Sequence, residues 1–151
     1  MLRRSVPTRF GPLVISEKAG AIVRLSWEDD TFLDQSALLD DAAVQLQAFE
    51  AGELTQFDLP LRVEGTDTLR AVCDAIYAIP FGDTCTYGDI AKTLNIPAQV
   101  VGQACGQNPI PIIIPCHRVM GAKGLTGYSG AGGIETKVAL LRHEGAAGLL
   151  I

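Results

Sequence analysis

The sequence predicts a mixed α/β fold, with a sheet and a helix in a first segment, residues 1–65, and mainly helices in a second, residues 66–151. Three observations carry this. Apolar, β-branched runs flank a turn signal near the N-terminus; apolar residues recur at helical spacing further on; and two short helical stretches meet at a tight turn. At 151 residues the chain suits one compact domain or two small lobes.

"GPLVISEKAGAIVRLSW" (11–27) reads as a β-hairpin, with Gly20 suited to a positive-φ turn. The acidic stretch 28–36 is a solvated loop. Over 37–52, Leu38, Leu39, Ala42, Ala43, Leu46 and Phe49 share a helical face that Gly52 ends, and 53–67 is an extended linker. In the second segment, Leu69, Val72, Cys73, Ile76 and Ile79 line one face of a helix over 67–79. A short helix over 86–96 has Thr86 as its N-cap. It joins, through "NIP", a helix over 97–109 with Pro97 at the first helical position, which makes a helix-turn-helix pattern. Ala98, Gly102, Ala104, Cys105 and Gly106 make this second helix unusually small. Interior glycines cost about 1 kcal/mol each relative to alanine, so close packing on another element, the favoured reading, or close approach to a ligand is expected. The run 110–114 predicts a buried, strand-like segment ended by Pro115, with Cys116 at its rim. A glycine-rich loop (124–133) and an amphipathic helix over 135–145 follow.

Composition excludes several classes. Hydrophobic content of 48% and charge of 19% fit a globular protein rather than a disordered or fibrous one. No apolar run approaches the ~20 residues of a membrane span, and no signal core follows "MLRRSVPTRFG", so a cytoplasmic location is expected. Cys73, Cys85, Cys105 and Cys116 form no CxxC pair, so neither a disulfide framework nor a metal site is expected. The net charge of −5 arises in the first segment, with 6 Lys/Arg against 11 Asp/Glu, whereas the second balances 6 against 6. Charge therefore neither supports nor excludes a nucleic-acid partner. Lys137 and Arg142 read as solvated charges, with phosphate contact as the other reading.

Chemistry concentrates at Cys116-His117. A cysteine attacks as its thiolate, and an adjacent imidazole can take the proton directly or through water, oriented in turn by a carboxylate such as Glu144. The bland alternative is a buried cysteine beside a structural histidine.

"PCHRV" (115–119), preceded by "QNPIPIII" and followed by "GLTGYSG" and "LLRHEG", resembles the O6-alkylguanine-DNA alkyltransferases. The likeness extends to "AIPFGDTCTYGDIA" (78–91) and, more loosely, to 47–61 and 11–20, so it covers nearly the whole chain. It implies a small N-terminal lobe over 1–65 as scaffold and a mainly helical, winged-helix-like lobe over 66–151 that bears the alkyl acceptor. The second helix of the helix-turn-helix would enter the minor groove of double-stranded DNA, the damaged guanine would flip out, and Cys116 would take its alkyl group in a single turnover. The resemblance implies that His117 is the base, that Glu144 orients it, and that Tyr87 donates to the leaving guanine. Asn108 would organise the turn before the site. Tyr128 and Ser129 would close over the base, and carbonyls around Cys116 and Val119 would accept its exocyclic amine. Thr86, Ala98, Gln99, Gly102, Gln103 and Gly106 would face DNA. No cofactor, no membrane and a monomer are implied.

Departures accompany the match. Gln99 stands where the family carries an arginine that fills the gap left by the flipped base, Thr68 and Cys73 replace usual aromatics, and "SGAGG" is longer than the common loop. Two rivals follow: a lesion-binding sensor with little or no transfer because of Gln99, and a cysteine enzyme acting outside DNA.

Overall fold

The computed structural model describes residues 1–121 and 133–146. Three antiparallel strands, β1 (Leu2–Thr8), β2 (Gly11–Lys18) and β3 (Ala21–Trp27), lie in sequence order and are followed by α1 (Ala37–Glu50). The β2–β3 hairpin turns at Ala19 and Gly20, with φ of 50° and 79°. Two consecutive positive φ values define the type I′ turn, whose twist matches that of the flanking strands. β1 is one element that sequence reading missed. Only Val6 within it is buried, so no alternating apolar face announced it.

Ser36 caps α1 by accepting from the Leu39 amide, and Leu39, Ala42, Leu46 and Phe49 face inward as the periodicity predicts. The linker that follows is extended, but it is anchored: Ile22 N–H donates to Pro60 O at 2.8 Å and Arg62 N–H to Ile22 O at 2.9 Å. Its Phe57 and Leu59 join the core.

The second half contains α2 (Asp67–Tyr77), α3 (Tyr87–Leu94), α4 (Ala98–Gly106) and α5 (Ile134–Glu144). Thr86 caps α3 in a reciprocal capping box with Asp89, and Asn95 ends it in the left-handed region, which turns the chain sharply into α4. Pro97 is the N-cap of α4 rather than its first helical residue, and α4 ends at Gly106, not at 109. A two-stranded parallel ladder of β4 (Cys85–Thr86) and β5 (Val119–Met120), too short for a sequence signal, ties the start of α3 to the segment after Cys116.

One apolar cluster runs from the sheet and α1 through α2 and α4 to Ile110–Ile114 and Leu140. Among the described residues, no helix is long and apolar enough to cross a membrane.

Gly20 tests the turn in isolation, because a Cβ there would meet nothing within 4 Å. Gly20→Ala should lower the free energy of urea unfolding by about 1–2 kcal/mol through backbone conformation alone.

Candidate active site

The isoleucine run is not a strand. Ile112 has φ of 71°, a left-handed conformation unusual for a β-branched residue. Ile113 N–H donates to Pro111 O at 2.9 Å across it, closing a γ-turn, and Ile114 N–H reaches Ile110 O at 2.8 Å. Pro115, with φ −82° and ψ 66°, centres an inverse γ-turn closed by Cys116 N–H to Ile114 O at 2.8 Å. Such left-handed backbone costs about 1–3 kcal/mol and persists only when its surroundings hold it.

Asn108 is the clamp. Its Nδ2 donates to Ile114 O at 2.8 Å, and its Oδ1 accepts from Ile110 N–H at 3.0 Å, so one buried amide closes both ends of the coil. From outside, Leu25 N–H of β3 donates to Pro109 O at 2.9 Å. Ile110, Ile112, Ile113 and Ile114 are all buried.

This coil delivers Cys116 into a 3-10 turn, Cys116–Arg118, that is buried throughout. Cys116 is 5% exposed, so the sulfur lies inside the fold rather than at a rim. His117 and Arg118, consecutive in the turn, both meet α5. His117 Nε2 donates to Glu144 Oε2 at 2.8 Å. Arg118 grips the same carboxylate through Nε to Oε1 and Nη2 to Oε2, each at 2.8 Å, and its Nη1 donates to Ile79 O at 2.6 Å. Gly145 in the left-handed region ends α5 directly after Glu144.

Burial would raise the Glu144 carboxyl, but hydrogen bonds from His117 and Arg118, and their charges, outweigh it and bring it down to about 2. Burial pushes His117 below its ordinary value against the raising influence of Glu144. At neutral pH the pair is therefore carboxylate and neutral imidazole. With its Nε2 proton on Glu144, His117 keeps a lone pair on Nδ1, and this buried atom has no hydrogen-bond partner among the described residues. It is a base with its acceptor open, next in chain to a thiol.

The other thiols are held protonated. Burial, with Cys116 nearby, pushes Cys73 and Cys105 to about 12, and burial with Asp89 raises Cys85. None of the four cysteines forms a disulfide.

The structure thus brings Cys116, His117, Glu144, Asn108 and Val119 together in one buried assembly. Tyr87 stands half-buried at the first turn of α3, adjoining the β4–β5 ladder. Tyr128 and Ser129 lie outside the described residues. On α4, Val101, Ala104 and Cys105 are buried, whereas Ala98, Gln99, Gln103 and Gly106 are exposed and Gly102 is half-buried. A Cβ on Gly102 or Gly106 would meet nothing within 4 Å. Packing within the described chain therefore does not require these glycines, contrary to the reading that composition favoured. Lys137 also departs from expectation: it is 1% exposed, and its Nζ donates to Val119 O at 2.7 Å. Its position on the inner face of α5, one turn before Leu141, was the available signal.

Residues 67–146 match the family model described as the DNA-binding domain of 6-O-methylguanine DNA methyltransferase. The methylated-DNA–protein-cysteine methyltransferase of Mycobacterium bovis is 41% identical across 93% of this chain and 90% of its own length. That of Methanosarcina acetivorans is 46% identical across 78% and 76%. Among solved structures, the Mycobacterium tuberculosis OGT in complex with DNA superposes with a TM-score of 0.87 at 41% identity, covering 96% of this chain and 93% of the other.

Glu144 sets a pH dependence whose sign follows from its lowered value. A depressed carboxyl stabilises the fold above the unfolded-state value of about 4.5 and loses that contribution as pH falls towards 2. Glu144→Gln should cost about 3–5 kcal/mol at pH 7, because it strands the Arg118 charge. It should also flatten the loss of stability between pH 4.5 and 2, as read from urea midpoints across that range.

Proposed function

The chain belongs to the methylated-DNA–protein-cysteine methyltransferase family, and from that premise we propose that it repairs O6-alkylguanine in duplex DNA by irreversible transfer of the alkyl group to Cys116. The observation that carries the chemistry is the buried Cys116-His117-Glu144 arrangement, with the open imidazole nitrogen on one side and the lowered carboxylate on the other. His117 Nδ1 takes the thiol proton, directly or through a bridging water, and Glu144 stabilises the imidazolium that forms. The thiolate attacks the alkyl carbon of a flipped-out guanine. The S–C bond forms as the C–O6 bond breaks, the electron pair leaves on the purine, and Tyr87 supplies a proton to it. The thioether is not hydrolysed, so each molecule acts once.

Residues 66–151 carry this chemistry in our reading, and residues 1–65 act as scaffold. The open, glycine-bearing face of α4, with Ala98, Gln99, Gly102, Gln103 and Gly106, is where the minor groove would approach, next to Thr86 at the start of α3. Asn108 holds the coil. Val119 O, which accepts from Lys137, has a second lone pair that would take the guanine amine, and Tyr128 and Ser129 would close over the base. The protein would work as a cytoplasmic monomer. The lesion-sensor reading is disfavoured, because Cys116 is present within an intact proton-transfer set and the curated relatives are named as methyltransferases.

Mass spectrometry of the protein after incubation with O6-methylguanine duplex should show a gain of one methylene, localised to Cys116 and absent in Cys116→Ser. Lesion-specific binding without that gain would favour a sensor, and transfer from the free base alone would favour a substrate outside DNA. A second expectation concerns charge. Neither Arg118 nor Lys137 is available to phosphate, α4 carries no charged residue, and Lys92 is an exposed cation on α3. DNA affinity should therefore fall with salt on a slope shallower than about −3, since each neutralised phosphate contributes about −0.9. Gln99→Arg should tighten lesion binding by about tenfold, the effect of one charge-assisted hydrogen bond.

A further inference from the structure

The chain has two histidines, and the second, His143, takes no part in the proton transfer although it adjoins Glu144. Its half-buried ring bridges two groups from the first half of the chain. Nε2 lies 2.6 Å from Phe49 O, near the end of α1, and Nδ1 meets Nη2 of Arg9 in the turn between β1 and β2. A carbonyl only accepts and a guanidinium only donates, so the bridge requires the neutral ring with its proton on Nε2. Arg9 is itself fixed: its amide donates to Glu50 Oε1 at 2.8 Å, and its guanidinium lies 5.0 Å from the centroid of Phe10. Phe10, Phe49 and Phe81 stand edge-on around the imidazole, with centroids at 5.5, 4.9 and 6.3 Å.

Two paths lead from this ring to the site. Along the chain, Glu144 follows directly as the last residue of α5. Through space, Phe81 also carries the Arg118 guanidinium over its ring, 5.8 Å from the centroid, and Arg118 is the second holder of the Glu144 carboxylate. A proton-relay set works only when its members are held within about 0.5 Å of the productive geometry. Among the described residues, the first half of the chain lends no side chain to that set. The bridge is its polar grip on the end of α5.

We propose that His143 is a positioning residue for the transfer reaction: the bridge from Arg9 through His143 to Phe49 O fixes the last turn of α5, so that Glu144 keeps His117 in the tautomer that receives the thiol proton. The inference rests on Cys116 being the acceptor. Residues 1–65 then bear on the chemistry as well as on folding, and they do so one residue away from the carboxylate.

The test compares full-length wild type with three variants, well below their melting temperatures. His143→Leu stays apolar among the phenylalanines but neither donates nor accepts, His143→Gln can do both through its amide, and Arg9→Met removes only the guanidinium. Two quantities are read: the single-turnover rate of transfer at saturating O6-methylguanine duplex, and the NMR shifts of the His117 ring nitrogens without DNA. The Leu variant should transfer roughly tenfold more slowly, the effect of one hydrogen bond, with duplex affinity unchanged. Its His117 shifts should move from one fixed tautomer towards an exchanging pair, and Gln should recover most of the rate and the wild-type shifts. A Leu variant as fast as wild type, a slow one with unchanged His117 shifts, or a Gln variant no better than Leu would overturn the proposal. Should His143→Leu fail to fold, Arg9→Met, at an exposed residue, decides. A rate about threefold lower with the same movement of the His117 shifts supports the bridge, and an unchanged rate and unchanged shifts overturn it. Wild type that transfers nothing from duplex would count against the repair reading, and the His117 shifts, which need no DNA, would then decide this inference by themselves.

Discussion

One buried carboxylate organises the reactive end of this molecule. Glu144 accepts from His117 and from one edge of the Arg118 guanidinium, Nε and Nη2, while Arg118 Nη1 reaches on to the carbonyl of Ile79 beyond the end of α2. Three separate pieces of chain meet at two oxygens: the 3-10 turn, the C-terminal end of α5 and the exit of α2. Without the carboxylate, a guanidinium and an imidazole would share an apolar interior with no compensation. With it, the same contact that holds α5 in place also selects which imidazole nitrogen carries the proton. Structural and chemical roles therefore coincide in Glu144, and neither can be altered alone.

The coil before Cys116 follows from the same economy of placement. Four buried isoleucines could have formed a strand, but a strand would carry its backbone pairing onward and could not turn the chain into a buried 3-10 turn. Left-handed Ile112 and the inverse γ-turn at Pro115 make that turn within a few residues, and Asn108 satisfies the amide and carbonyl that a strand partner would otherwise have taken. The isoleucines are buried in the same apolar cluster as Cys116, as a buried segment should be; what changes is that the segment is coiled rather than extended.

Periodic elements were legible in the sequence because burial writes a period into it. Four of the six residues expected on the inward face of α1 are buried, with Leu38 and Ala43 partly so, and four of the five expected for α2 are buried within it, Ile79 following just beyond its end; the hairpin turn and the Thr86 cap follow from local chemistry. What escaped has no period. β1 buries a single residue, β4 and β5 have two residues each, and the coil at 110–114 has a strand-like composition whose pairing is supplied by one asparagine side chain. The site was legible where residues are adjacent in sequence, as in Cys116-His117, and where the motif supplied the distant partner, as in Glu144. Lys137 was read as solvated because a lone lysine on an amphipathic helix usually is, and only packing shows that its face turns inward.

That misreading changes how the second half should meet a polyanion. Its six cations balance six acids by count, but Arg118 and Lys137 lie inside, where they serve the carboxylate and the turn. Of the acids, only Glu144 is withdrawn with them, so the described outer surface leans acidic rather than neutral. A helix meeting DNA from such a surface gains little from phosphate attraction and must depend on close approach. Open glycines at 102 and 106 allow that approach, and the exposed amides of Gln99 and Gln103 can donate to and accept from base edges without bringing charge. Arg118 and Lys137, two cations that could have drawn DNA in, are instead buried at the turn that carries Cys116.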